Sequence, residues 1–425
     1  MSGDPARETA LELLAGVLET QRTLIELKEA GLGADIPPPA RARAETSARA
    51  GLRNLARLDS LLDGFLSRRP PAAARHVLRL MAAEILIDGT PPHAAVHSGV
   101  ALMRARAATR RFAGLANAVG RRLADEGPAL WPALPPDPLP AWIGGPLRKA
   151  AGRHVLAAVT GACRADPPTD LTPKDPATAR ALADSLGAEL LPTGSLRLAR
   201  RGQISALPGF DAGAWWVQDA AAAMPVRLLG PLAGRSVLDL CAAPGGKTLQ
   251  LAAAGAHVTA LDVSAPRLAR VRQNLARTGL SAEIVTADAR AWAPDRRWDC
   301  VLLDAPCSAT GTLRRHPDLP FARLDPDLRP LLALQAALID RALTWLNPGG
   351  TLLYCTCSLL PQEGPRQIAR ALERHPALAR VDLAPLPAGI DDNWVTEAGD
   401  LILRPDYWAE RGGMDGFFAT CLTLR

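Results

Sequence analysis

Five short, mostly apolar runs constrain this chain more than anything else in it: Val237-Leu238-Asp239-Leu240, His257-Val258-Thr259-Ala260-Leu261, Ala282-Glu283-Ile284-Val285, Cys300-Val301-Leu302-Leu303 and Thr351-Leu352-Leu353-Tyr354. Each is too short for a buried helix, and stretches of helical spacing separate them. Strands alternating with helices fold as crossover units, which predicts an α/β domain with a doubly wound parallel sheet. In such sheets ligands bind where the strands end. Two of these ends carry thiols, in Asp304-Ala305-Pro306-Cys307-Ser308 and Tyr354-Cys355-Thr356-Cys357-Ser358. Two cysteines delivered to one sheet edge point to thiol chemistry on a bound substrate.

The rest of the chain is organised differently. Its 425 residues suit two or three domains, and 48% hydrophobic content excludes a disordered or fibrous protein. Residues 1–128 are expected to be helical, with Leu11, Leu14, Val17 and Leu18, then Val77, Leu80, Met81 and Ile85, at helical spacing. Residues 129–140 read as a proline-rich linker. Residues 141–215 read as a small α+β domain, for which an RRM-like arrangement is one candidate, with a helix near Ala177–Leu186 and a strand near Ser195–Leu198. The doubly wound domain fills 216–425.

Charge and cysteine usage narrow the partners. A formal charge of +6 favours an anionic partner, and 13 arginines lie between Arg49 and Arg122. Such helices suit an RNA backbone, although arginine is this chain's default cation and a solvated face explains it equally well. Only four lysines occur, so Lys247 marks a place where arginine would not serve. Seven scattered cysteines without a C-x-x-C pair suggest neither a disulfide framework nor a metal site. With no signal-like start and no apolar run of spanning length, the expectation is a cytoplasmic protein without a membrane partner.

The first strand leads into Cys241-Ala242-Ala243-Pro244-Gly245-Gly246-Lys247-Thr248 and then a helix. A strand, a glycine turn and a helix N-terminus make a nucleotide-ligand site. A Walker loop requires glycine where Cys241 stands, and no G-x-G-x-x-G is present, so S-adenosylmethionine remains as the cofactor. Three acids agree with it. Asp262 suits the ribose hydroxyls, Asp288 the adenine amine, and Asp304 the sulfonium and target base. Carbon 5 of a pyrimidine becomes nucleophilic only after a thiolate adds to carbon 6, and a second group must later assist elimination. The paired cysteines meet both needs, while Cys163, Cys300, Cys355 and Cys421 are expected to be small buried apolar residues.

The Cys241–Lys247 loop, the phrase from Asp304 through His316-Pro317-Asp318, and Tyr354–Ser358 together resemble the signature blocks of the Sun/Fmu RNA (cytosine-5) methyltransferases. The resemblance runs from about Trp216 to Arg425 and includes Asp415-Gly416-Phe417-Phe418. It implies that Cys357 attacks carbon 6, that Cys307 assists product release, and that Lys247 and Asp304 hold each other and the base. DNA cytosine methyltransferases instead use a cysteine equivalent to Cys307. Pro91-Pro92-His93-Ala94-Ala95-Val96-His97 and Gly114-Leu115-Ala116-Asn117-Ala118-Val119 resemble a NusB-like RNA-binding domain, fused to this module in the bacterial 16S rRNA methyltransferase B type. That implies rRNA as partner. A tRNA cytidine methyltransferase, or a NusB-like assembly factor with a silent catalytic fold, is the alternative.

Overall fold

The computed structural model describes residues 4–199 and 202–425. They form two compact units, Met1–Gly144 with Leu313–Pro326, and Gly145–Thr312 with Asp327–Arg425.

The first unit is helical. Its main helices are Pro5–Thr20, Pro38–Arg53, Leu55–Phe65, Ala72–Leu86, Pro92–Ala105 and Ala113–Asp125. The prolines that punctuate the sequence start helices, since Pro5, Pro38 and Pro92 occupy first-turn positions where no N–H is required. Leu14, Val17, Leu58, Leu62, Val77 and Met81 are buried in one core. The arginines divide into two groups. Arg75 bonds Asp63 at 2.7 Å and Arg79 bonds Asp59 at 2.6 Å, which ties helices together. Arg104, Arg110 and Arg111 are exposed.

Two stretches join this unit that were not expected in it. The proline-rich segment is no free tether: Trp131–Ala133 forms a 3-10 turn, and the Arg57 guanidinium lies 3.9 Å from the Trp131 ring. Asp137 then accepts the Ala56 and Arg57 amides at 2.7 and 3.0 Å, an acid at a helix start. Leu313–Pro326 also belongs here. Asp318 accepts the Leu24 amide at 2.9 Å, Arg53 donates to the Arg314 carbonyl at 2.8 Å, and Phe321 packs against the helical core.

The second unit holds two sheets. The smaller contains β1 (Asp170–Pro173), β2 (Ala188–Leu190), β3 (Leu196–Leu198) and β4 (Trp215–Val217), antiparallel in the order β2-β3-β1-β4. The helix Ala179–Leu186 lies where expected. A helical stretch over Ala141–Ala162 was not expected, because Gly144, Gly145, Pro146 and Gly152 interrupt its apolar spacing, and Gly152 breaks it at φ 86°.

All five apolar runs are strands of the larger sheet: β5 (Ser236–Leu240), β6 (His257–Asp262), β7 (Glu283–Thr286), β8 (Trp298–Asp304) and β9 (Leu346–Thr356). They run parallel in the order β9-β8-β5-β6-β7. The sheet is mixed rather than wholly parallel. Beyond β9 come the short β10 (Leu378–Arg380) and β11 (Leu401–Leu403), both antiparallel to β12 (Phe417–Leu424), which itself pairs antiparallel with β9. Antiparallel edge strands on a parallel sheet are common in such folds. Among the described residues, no helix is long and apolar enough to cross a membrane.

Asp239 in β5 is wholly buried and bonded by Thr248 at 2.6 Å, while its other oxygen meets no donor among the described residues. Burial pushes its carboxyl from 3.8 up to about 7. In the unfolded chain this acid ionises near its ordinary value, but in the folded state it stays neutral to about pH 7. Stability is therefore lost as pH rises from about 4 to 7, then levels off, with an upper limit on the order of 4 kcal/mol. Denaturant unfolding of Asp239→Asn should show a flatter dependence than the wild-type protein over that range. Parallel profiles would mean that Asp239 does not titrate there.

Candidate active site

The site begins with the backbone between β5 and the helix Gly246–Ala253. Cys241 has φ 59° and Gly245 φ 104°, so the chain turns sharply through the left-handed region and brings its amides to the sheet edge. Ala242 donates to the Leu261 carbonyl at 3.0 Å, which ties the loop to β6. Asp262, the last residue of β6 and almost fully buried, accepts the Ala243 amide at 3.1 Å and the Ser264 amide at 2.9 Å. Arg267 donates to the Ala243 carbonyl and stands 3.7 Å from Asp262. Burial, then the Asp262 and Asp304 charges, push the Cys241 thiol up to about 12, so it serves as loop backbone and not as a nucleophile.

Asp304 ends β8 and Lys247 lies in the first turn of the loop helix; their Oδ2 and Nζ are 2.7 Å apart. Burial opposes the Lys247 charge, yet Asp304 and the neighbouring Cys355 and Cys357 outweigh it and hold the ammonium above the ordinary lysine range. Lys247 Nζ also sits 5.0 Å from the centre of the Phe417 ring. Cys355 donates to the second Asp304 oxygen at 3.5 Å. The remaining expected acid lies apart in character. Asp288 is two residues beyond β7, partly exposed, and bonded by Arg290 at 2.6 Å, whose hydrogen bonds hold its carboxyl down at about 2.

The two thiols converge. Cys307 follows β8 and Cys357 follows β9, adjacent parallel strands in which Asp304 pairs with Cys355. Their Sγ atoms are 3.4 Å apart and both residues are partly exposed. The hydrogen bond to Cys357, then burial, hold the Cys307 thiol well above the usual range. The Cys307 thiol is thus held in its protonated form within hydrogen-bonding distance of the Cys357 sulfur.

Comparison with known proteins identifies the family of both units. Residues 226–423 match the model of the family described as 16S rRNA methyltransferase RsmB/F, and residues 4–125 match the NusB family. The ribosomal RNA small subunit methyltransferase B of Cronobacter sakazakii is 38% identical over 349 residues, 76% of this chain and 80% of that protein. The chain belongs to the 16S rRNA methyltransferase RsmB/F family. The Erwinia tasmaniensis methyltransferase B is 46% identical over 231 residues, 53% of this chain and 50% of that protein. A methyltransferase homologue of known structure from Pyrococcus horikoshii is 27% identical with a TM-score of 0.55, covering 66% of this chain and 94% of that one.

Family membership accounts for the blocks read from the sequence, but three neighbours of the site escaped that reading. Cys355 was expected to be core filler; it is buried, yet it also bonds the Asp304 carboxylate. Phe417 lies under Lys247 although its phrase falls some sixty residues beyond Cys357. Glu363 is fully buried against both cysteine loops. In the sequence it sits in Pro361-Gln362-Glu363-Gly364, which looks like any solvated turn.

Proposed function

We propose that this chain transfers a methyl group from S-adenosylmethionine to carbon 5 of a cytidine in 16S rRNA through a covalent cysteine adduct. The observation that carries this reading is the 3.4 Å pairing of Cys307 and Cys357 beside the Lys247–Asp304 ion pair. An amino-group methyltransferase has no use for two thiols there.

The cofactor's fit rests on the loop. The Cys241, Ala242, Ala243, Pro244, Gly245, Gly246 and Lys247 backbone, with buried Asp262 at its side, suits a ribose and an amino-acid tail better than a triphosphate, since that carboxylate already takes the Ala243 amide and would repel a phosphate. Asp262 would take the ribose hydroxyls, Asp304 would face the sulfonium, and Asp288 would reach adenine only by sharing its carboxylate with Arg290. When bound, the cofactor supplies an electrophilic methyl group.

The chain's residues do the rest. Cys357 Sγ bonds carbon 6, and the charge that develops on the ring is met by the Lys247–Asp304 pair near N3. Carbon 5 takes the methyl group and then loses its proton to a base. The Sγ–carbon 6 bond breaks, the ring double bond returns, and Cys307 donates its proton toward the departing thiolate. The target must leave its stack to be reached. The exposed Arg104, Arg110 and Arg111 would contact RNA phosphates, which orient the substrate without reading its sequence.

Labelled methyl transfer to 16S rRNA and to tRNA, followed by bisulfite mapping, tests the reading. A 5-methylcytidine in rRNA supports it; label confined to tRNA, or absent from both with cofactor bound, overturns it. Asp262→Ala should weaken cofactor binding in calorimetry by roughly 1.5–3 kcal/mol, the loss of charge-assisted hydrogen bonds. An unchanged affinity would remove Asp262 from the cofactor site.

A further inference from the structure

Between the two cysteine loops lies a buried polar cluster that the reaction scheme does not use. Glu363 is fully buried, and no cation pairs with it among the described residues. Its Oε1 accepts the Ser308 backbone amide at 2.8 Å and the Gln335 amide at 3.0 Å. Its Oε2 accepts the hydroxyls of Ser308 and Ser358, each at 2.5 Å. Ser308 immediately follows Cys307 and Ser358 immediately follows Cys357. One carboxylate thus holds the residue after each thiol.

The surroundings fix that carboxylate in turn. The Tyr354 hydroxyl, on β9, donates to the Glu363 carbonyl at 2.8 Å. Gln335 donates to the Pro306 carbonyl at 2.8 Å as well as to Glu363, so it grips the residue before Cys307. Thr310 Oγ1 lies 3.3 Å from the Ser308 hydroxyl and 3.1 Å from that of Ser358, and accepts the Leu359 amide at 2.9 Å. Behind the turn, a side chain at Gly364 would place its Cβ 2.7 Å from the Phe418 ring, so glycine is required there.

We propose that Glu363 is a positioning residue that sets the spacing of the Cys307 and Cys357 sulfurs by clamping both loops to one buried acceptor. The proposal rests on the thiol-adduct reading for its functional meaning, but the spacing can be measured without any methyl transfer. Glu363→Ala leaves the buried Ser308 amide without its acceptor and frees both loops. Glu363→Gln behaves differently. Its amide oxygen can take the Oε1 place, and its NH2 group can donate to the two hydroxyls, which rotate to accept.

The experiment uses full-length reduced protein and diamide as the oxidant, following Cys307–Cys357 disulfide formation by fragment mass spectrometry. Cofactor affinity is measured on the same samples. Glu363→Ala should slow disulfide formation by about tenfold or more and lower kcat at least as much, with cofactor affinity unchanged, because small displacements of reacting atoms are costly. Glu363→Gln should stay within about threefold of wild type in both readouts, as its hydrogen bonds can be remade. An unchanged disulfide rate in Glu363→Ala overturns the proposal. If that variant does not fold, Ser308→Ala/Ser358→Ala cuts the clamp from the loop side, and a wild-type rate there overturns it equally. A slowed disulfide in a protein that methylates no RNA would keep the clamp and discard the thiol-adduct reading.

Discussion

Cys357→Ala should lose methyl transfer by roughly a thousandfold or more and form no adduct with RNA, because the proposed mechanism activates carbon 5 only through that thiol. Cys307→Ala should behave differently: addition proceeds, elimination stalls, and protein accumulates on RNA as a species that survives denaturing gels. The asymmetry follows from the site. The sulfurs are 3.4 Å apart, and the hydrogen bond to Cys357 raises the Cys307 thiol, which suits the proposed roles of Cys307 as proton donor and Cys357 as attacking sulfur. Both thiols lie at the ends of adjacent strands, so the two variants separate their roles. A persistent complex in Cys357→Ala that vanishes in Cys307→Ala would exchange their roles. No complex in either variant would remove covalent addition from the mechanism and leave the cofactor loop standing.

The second large effect is expected at the ion pair. Asp304→Ala should cost about 2 kcal/mol of stability, less than the 3–5 kcal/mol typical of a broken buried pair because Asp304 is about a third exposed and solvent screens it. Turnover should fall on the order of a hundredfold or more, since the proposed mechanism places that charge against the target ring. Lys247→Met should cost less stability. It leaves a carboxylate that water can reach, whereas Asp304→Ala leaves an ammonium with only 8% of its side chain exposed. The double variant should therefore be more stable than Asp304→Ala alone, with a coupling of about 1 kcal/mol or more in urea unfolding, while remaining inactive. Additive costs would mean that the two charges do not sense each other through the 2.7 Å contact.

Much of this was legible in the sequence, for reasons that differ by element. Strands β5, β6, β8 and β9 were visible because a strand buried on both faces is a short continuous apolar run, and Val301-Leu302-Leu303 has few other uses, whereas β7, at the sheet edge, is only half-buried and was visible from its place in the strand–helix alternation. The loop from Cys241 to Lys247 was visible because its glycines and its rare lysine have a geometric cause. The antiparallel edge was not, since nothing in Phe417–Leu424 states which direction its neighbour runs. The Ala141–Ala162 helix was hidden by glycines and a proline that a broken helix tolerates and a regular one would not. Glu363 and Gln335 were hidden for another reason. A polar residue gives no sign of burial until distant loops close over it, and Ser308 and Gln335 lie 55 and 28 residues from Glu363.

One feature of the helical unit bears on how this protein comes off the ribosome. Its amino-terminal helices are not finished by the residues that precede them in the chain. The amide of Leu24 waits for Asp318, the guanidinium of Arg53 for the Arg314 carbonyl, and the helical core for Phe321. Those partners are translated about 190 residues after the last helix of the bundle, Ala113–Asp125, has appeared. The nascent bundle must persist with that side open while β5 to β8 are synthesised, and its last pieces arrive within twenty residues of Cys307. Maturation of the helical unit is thereby timed to the synthesis of Cys307, and a chain released before residue 326 would carry an incomplete bundle together with an incomplete sheet.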